Sequence, residues 1–317
     1  MKWMKTNFPS FVRALLFYTL FVILWGAWVR ISHSGDGCGD HWPKCQGEFI
    51  PSATSGKTWI EYAHRFMSGL YGIVVFALSA LSFRIFPNGH AARRWALIST
   101  VFTISEALLG AKLVLSGLVA GNDSPMRLFT MGLHLMNSLC LVASITIWDL
   151  KASEFQLETG VTTNGALKNV IRQGLGMCTL ALGLICLIVL TGSIASLSTT
   201  LFPSESLLSG FINDFASDSH YLVRWRALHP ALGVLLGLSI AGIGFFIQNS
   251  NVGPSLQLRA RNLAWTFVAA VIVGTITLMS LSPVPLKLAH LTLTYWCWIS
   301  LVRFFASLRL AHSQSKN

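Results

Sequence analysis

Four of the nine histidines, His64, His134, His229 and His290, lie inside long apolar stretches of the chain. An imidazole placed there must bond a neighbour, carry a proton or ligate a metal, because an unpartnered polar group in an apolar medium is costly. Other groups with chemistry to offer stand close by in sequence. Glu61 precedes His64 by three residues, so the two share one helix face, and Arg65 follows directly. Arg127 precedes His134, Arg224 and Arg226 precede His229, and Lys287 precedes His290. Cys38 and Cys45 share the segment ahead of Glu61, and Glu106 sits deep in another apolar run. Imidazoles, carboxylates and guanidinium groups in this arrangement could hold a metallocofactor, move protons or bind acidic groups.

The elements that must position these residues are membrane-spanning helices. Hydrophobic residues make up 53% of the 317-residue chain and charged residues only 11%, against roughly 25% charged in a soluble domain. A span needs about 20 mostly apolar residues. Eight such runs occur, near 11–31, 62–85, 93–115, 128–149, 170–194, 225–247, 262–281 and 285–306. The first carries Lys2, Lys5 and Arg13 at its start, as a secretion signal would. It ends in Trp28-Val29-Arg30 without a small-residue cleavage site, and so reads as a retained helix.

An even number of spans puts both termini on one side. Segments on that side hold most of the 23 Lys and Arg, and positive residues stay cytoplasmic. Both termini are therefore expected in the cytoplasm of a cell whose inner membrane holds the chain. The loops 32–60, 116–127 and 195–223 then face outward, with a tight turn at 282–284. The net charge of +11 is thus topology, which excludes a nucleic-acid partner and leaves membrane lipid. Cys140, Cys178, Cys186 and Cys297 lie in apolar helices, where a thiol acts as a small hydrophobe. Cys38 and Cys45 lie in the first outer loop, where an oxidising compartment lets a pair form a disulfide.

The polar segment 151–169 divides the chain into two four-helix halves, 1–150 and 151–317, that read as distant copies. One histidine falls near the outer end of each even-numbered span, and none falls in an odd-numbered one. Gly26 and Gly192 occupy similar places in the first and fifth spans. The expected fold is all-α: eight transmembrane helices as two pseudo-symmetric four-helix bundles, the copies parallel and related about the membrane normal. His33, His41, His90, His220 and His312 fall in connections or the tail.

A single intramembrane histidine is often a structural hydrogen-bonding residue; four in register point to a shared ligand. Two imidazoles on facing helices suit a six-coordinate heme iron, and a bundle core is where such a cofactor sits. Structural zinc needs four ligands at one point, which only one half could supply. Arg65, Arg127 and Arg226 stand where they could fork onto heme propionates; each could equally be an interfacial anchor. The halves differ before their first histidine, with Glu61 in one and Arg226 in the other. A carboxylate beside the site can move protons, so the N-terminal half reads as reactive and the C-terminal half as electron-transferring. The plainer alternative is that Glu61 neutralises Arg65 or caps the helix. Glu106 pairs with a cation across the bundle or bonds near the N-terminal site.

The run Gly35-Asp-Gly-Cys38-Gly-Asp-His-Trp42-Pro43-Lys-Cys45-Gln-Gly47, then Ile50-Pro51, then Trp59-Ile-Glu61-Tyr-Ala-His64-Arg65, resembles the first outer loop and second helix of the heme A synthase family. The likeness extends along the whole chain through the helix count and the later histidines. His229-Pro and Leu-Ala-His290 are its less specific parts. The resemblance implies oxidation of a methyl group of heme O to the formyl group of heme A, for cytochrome oxidase. It implies a permanent heme b on His229 and His290. It also implies a substrate site built from His64, His134 and Glu61, and a redox-sensitive disulfide between Cys38 and Cys45. Some members carry a second cysteine pair in the third outer loop; this chain has none between 195 and 223. Heme O synthase and the oxidase assembly machinery are the partners this implies, with a quinol or another electron donor. Two rival readings stand beside it: a bis-heme, quinol-linked electron carrier that modifies no substrate, and a heme transporter or chaperone.

Overall fold

The computed structural model describes residues 2–52, 55–153 and 165–314. Among these, all extended regular structure is helical, and eight helices are long and apolar enough to cross a bilayer. The chain is a multi-pass all-α membrane protein, as the hydropathy pattern requires. It forms two compact units, Met1–Ser153 and Glu154–Asn317. Most of the polar 151–169 divider lies outside the described residues.

The first unit contains α1 (Lys2–Ile31), α2 (Gly56–Ile85), α3 (Ala91–Leu115) and α4 (Pro125–Ala152). Each packs on the next, and α4 closes the ring against α1. Local sequence sets the ends. Ser124 accepts the Arg127 amide ahead of Pro125, and His90 accepts the Ala92 amide to start α3, satisfying donors that an open helix end would leave unpaired. The core away from the long loops is aromatic. Trp148 is fully buried, donates to Ser82 Oγ at 3.2 Å and packs on Phe8, which meets Phe86 edge-on at 5.5 Å. Small residues let α3 and α4 approach, and Ser99 and Ser144 bond across them at 2.9 Å.

The second unit contains α5 (Gly165–Leu201), α6 (Leu207–Phe215), α7 (Tyr221–Arg226), α8 (Leu228–Gln248), α9 (Pro254–Met279) and α10 (Val284–Gln314). Here α5, α8, α9 and α10 form the ring, and α7 runs on into α8 as one span, Tyr221–Gln248. The tightest seam is at Gly244. A Cβ there would stand 2.6 Å from the Ala260 carbonyl oxygen, the close backbone contact that small residues permit between membrane helices. Outward faces of both units expose Phe66, Ile73, Leu108, Leu235 and Trp265. In water such surfaces would drive association; in lipid they are the solvated face.

The helices outrun the apolar stretches that reveal them. α1 begins near residue 2 rather than 11, α2 at 56 rather than 62, and α10 includes His312, expected in the tail. Hydropathy marks the portion at lipid depth, whereas the i to i−4 hydrogen bonds continue wherever no residue interrupts them. The nine-residue α6 went unforeseen inside the loop 195–223 because it is too short to span. Its mark is Leu207, Leu208, Phe211, Ile212 and Phe215 at helical spacing, begun by a capping box between Ser206 and Ser209.

Candidate functional site

Each unit carries its two histidines on alternate helices, toward the end that bears its long loops. In the second unit His229 (α8) and His290 (α10) face each other, ring centroids 6.1 Å apart and planes at 68°. With metal–nitrogen bonds of about 2 Å and roughly 1.2 Å from ring nitrogen to ring centre, two imidazoles on one iron stand about 6 Å apart. The pair therefore has the spacing of two axial ligands.

Glycines seat these rings. A Cβ at Gly192 of α5 would lie 2.9 Å from Cε1 of His229, and one at Gly274 of α9 would lie 2.7 Å from Cε1 of His290. Real Cβ atoms do not approach so closely, so only glycine admits the ring against the neighbouring helix. Losing that side chain also uncovers the carbonyl one turn earlier. Nδ1 of His229 lies 3.1 Å from the Ile188 oxygen and 3.4 Å from Thr191 Oγ1, whereas Nδ1 of His290 is buried without a hydrogen-bond partner among the described residues. Ile188 stands four residues before Gly192. An Nδ1 turned to a carbonyl leaves Nε2 as the metal-binding nitrogen.

The first unit repeats the glycine contact with different partners. His64 (α2) lies against Gly26 of α1, where a Cβ would be 2.9 Å from Cε1. Its Nδ1 is buried without a hydrogen-bond partner among the described residues. His134 (α4) lies against Gly110 of α3 more loosely, at 3.8 Å. Four residues before Gly110 is Glu106, whose Oε1 is 3.4 Å from His134 Nδ1. Asn137 Nδ2 donates to Glu106 Oε2 at 2.6 Å, and Ser138 Oγ donates to Oε1. Of the two roles expected for Glu106, the geometry selects bonding beside the N-terminal histidines. Gly110 and Gly274 escaped the sequence reading; their signal is a position about one and a half turns before the end of α3 and α9, as for Gly26 in α1.

The remaining predicted residues converge on the loops. Cys38 and Cys45 form a disulfide and are both buried. Their loop presses onto the start of α2. Gly37 approaches the Lys57–Thr58 backbone so closely that a Cβ would sit 2.6 Å from it, and Thr58 Oγ1 donates to the Gly37 carbonyl at 2.8 Å. Glu61 is buried, and both its oxygens are engaged. Oε2 accepts the Cys38 amide at 2.8 Å, and Oε1 pairs with Arg65 at 2.5 Å. Arg65 also donates to the carbonyls of His41 and Lys44. Arg127 is buried and donates to Ala120 and Asn122 in the second loop. Arg226 is buried, pairs with Asp214 at 2.6 Å and donates to Phe202, Ser204 and Gly210. The three arginines singled out as propionate partners thus act as clamps that fasten loops to helix ends.

Comparison with known proteins fits this geometry. A family model described as "Cytochrome oxidase assembly protein" matches residues 10–302. A protein of Thermus thermophilus named protoheme IX farnesyltransferase is 36% identical over 299 residues, covering 94% of this chain and 48% of that protein. The chain thus spans about half the length of that relative. Heme A synthases of Bacillus cereus and Bacillus anthracis are 44% identical over 98 residues, 31% of this chain and 32% of theirs. With a family model that runs through both units and all four histidines, the chain belongs to the cytochrome oxidase assembly protein family COX15-CtaA, that of the heme A synthases.

Proposed function

We propose that the chain is a heme A synthase, converting a methyl group of heme O to the formyl group of heme A in the inner membrane for cytochrome oxidase. The observation that carries this reading is the His229–His290 pair, set at the spacing of two axial ligands in a member of this family. Those two residues would hold a resident heme b, which when bound supplies one-electron transfer. His64 and His134 would hold the substrate heme O; Nδ1 of each is buried without a hydrogen-bond partner among the described residues.

The surroundings of the two pairs support this division. Carboxylates, Glu61 and Glu106, stand on the helices of the first unit near its histidines. In the second pair His229 meets the Ile188 carbonyl and Thr191, and no carboxylate is hydrogen-bonded to either ring among the described residues. Glu61 manages protons in this reading by exchanging one of its partners, Arg65 or the Cys38 amide. Arg65, Arg127 and Arg226 hold loops over the ends of the sites and would meet propionates only by trading loop contacts. Both termini are cytoplasmic, which puts the Cys38–Cys45 loop on the oxidising side where disulfides persist. The farnesyltransferase name belongs to a protein about twice as long, of which this chain matches one part. An enzyme that makes heme O is the partner whose product this site would take.

The test is expression in membranes supplied with heme O, followed by extraction and mass analysis of the hemes. Heme A or its hydroxylated precursor is expected, absent from a His64→Ala variant. Stoichiometric, reducible but unmodified heme would instead identify a bis-heme electron carrier.

A further inference from the structure

Four imidazoles meet four glycine-bearing helices, and one of them has a partner of a different kind. Ile188 offers a main-chain carbonyl to His229 one turn before Gly192. At the equivalent place before Gly110 a side chain intervenes, Glu106 Oε1 at 3.4 Å from Nδ1 of His134. A carboxylate at membrane depth is expensive unless it serves a partner. Glu106 is also not free to swing, because Asn137 and Ser138, from the same helix as His134, hold both its oxygens. Asn137 is fixed in turn by the Phe102 carbonyl at 2.9 Å and by Ser105 Oγ at 2.6 Å. The glycine contact at His134 is the loosest of the four, at 3.8 Å against 2.7–2.9 Å. Glycine contacts therefore seat His64, His229 and His290 closely, whereas His134 has the held carboxylate of Glu106 beside its ring.

We propose that Glu106 is a positioning residue for His134, its Oε1 standing 3.4 Å from Nδ1 so that Nε2 is left to face iron. A carboxylate behind a ligating histidine orients the ring and raises its basicity. Stronger donation stabilises the oxidised iron, so the porphyrin held by the first unit has a lower potential than its own imidazoles alone would set. The inference rests on the reading of His64 and His134 as a heme pair.

The full chain, purified from membranes and loaded with iron protoporphyrin IX, is titrated redox-potentiometrically with optical and low-spin electron paramagnetic resonance readouts. The His64→Ala variant identifies the first-unit signal by its loss. In Glu106→Gln that signal is expected to move to higher potential with altered g-values, while the second-unit signal stays put and reports an intact fold. Asn137→Ala, which removes one support of the carboxylate, is expected to move it the same way by less. An unmoved first-unit potential in Glu106→Gln overturns the proposal; should that variant lose both hemes, an unmoved potential in Asn137→Ala overturns it. If the wild type shows no His64-dependent heme, the heme-pair reading itself fails, before any change at Glu106.

Discussion

The loop ends of the two units solve one problem with opposite distributions of charge. In the first, Glu61 and Arg65 both belong to α2 and pair with each other, and the loop joins through its main chain: the Cys38 amide and the His41 and Lys44 carbonyls. In the second, the cation Arg226 comes from α7 and the loop brings the carboxylate, Asp214 on α6. The first loop, without regular structure and closed on itself by its disulfide, meets the ion pair of α2 through backbone groups. A loop that forms a capped helix can present a side chain instead. The imidazoles differ in parallel: a carboxylate stands beside His134 in the first unit, and a main-chain carbonyl stands behind His229 in the second. The first unit therefore concentrates ionisable groups around its histidines, and the second insulates them.

The largest effect expected from this contrast is on heme content. His229→Ala should remove one heme per chain and leave the other, and His64→Ala should remove the complementary one, measured as heme-to-protein ratio after purification. Loss of both from either variant would mean that the units do not hold hemes separately. Next comes the seating of the rings. Gly274→Ala puts a Cβ 2.7 Å from Cε1 of His290, overpacking that costs about 1–3 kcal/mol and should lower occupancy of the second-unit heme. Gly110→Ala meets its ring at 3.8 Å and gains up to about 1 kcal/mol of helix propensity, so occupancy should hold. Equal losses in the two variants would break the argument that His290 is seated more closely than His134.

Arg226→Ala leaves Asp214 without its cation and is expected to free α6, at a local cost of about 2 kcal/mol once partial exposure of the pair is allowed for. Faster amide exchange over 203–216, with no change over 36–48, is the signature. The smallest effect is reciprocal. Cys38→Ser with Cys45→Ser opens a short covalent loop, worth about 2 kcal/mol in loop-closure entropy, and should raise exchange over 36–48 alone. Exchange rising in both loops would indicate that the two fastenings are not independent.

Much of this molecule is legible along the chain. The eight spans follow from composition, because lipid admits only segments that are apolar and satisfy their own backbone. The four histidines stand out because ionisable residues at that depth are rare. Gly26 and Gly192 could be noticed beside them, though only their closeness to Cε1 of His64 and His229 explains why a side chain is barred. Glu61 shows what spacing carries and what it does not: its pairing with Arg65, four residues on, is readable along the chain, whereas its bond to the Cys38 amide, 23 residues away, leaves no local trace.

The sequence by itself determined the class of fold, the number of spans and the depth of the histidines, since these depend on periodicity and composition that each segment carries alone. The family was readable from the resemblance of the runs 35–47 and 59–65. The tertiary structure decided which groups meet. It turned three arginines toward loop carbonyls, folded α6 under Arg226, and set Glu106 beside His134. Those outcomes depend on how helices rotate about their axes when they pack. That rotation is fixed by where small residues allow close approach, a property of facing surfaces rather than of any one segment.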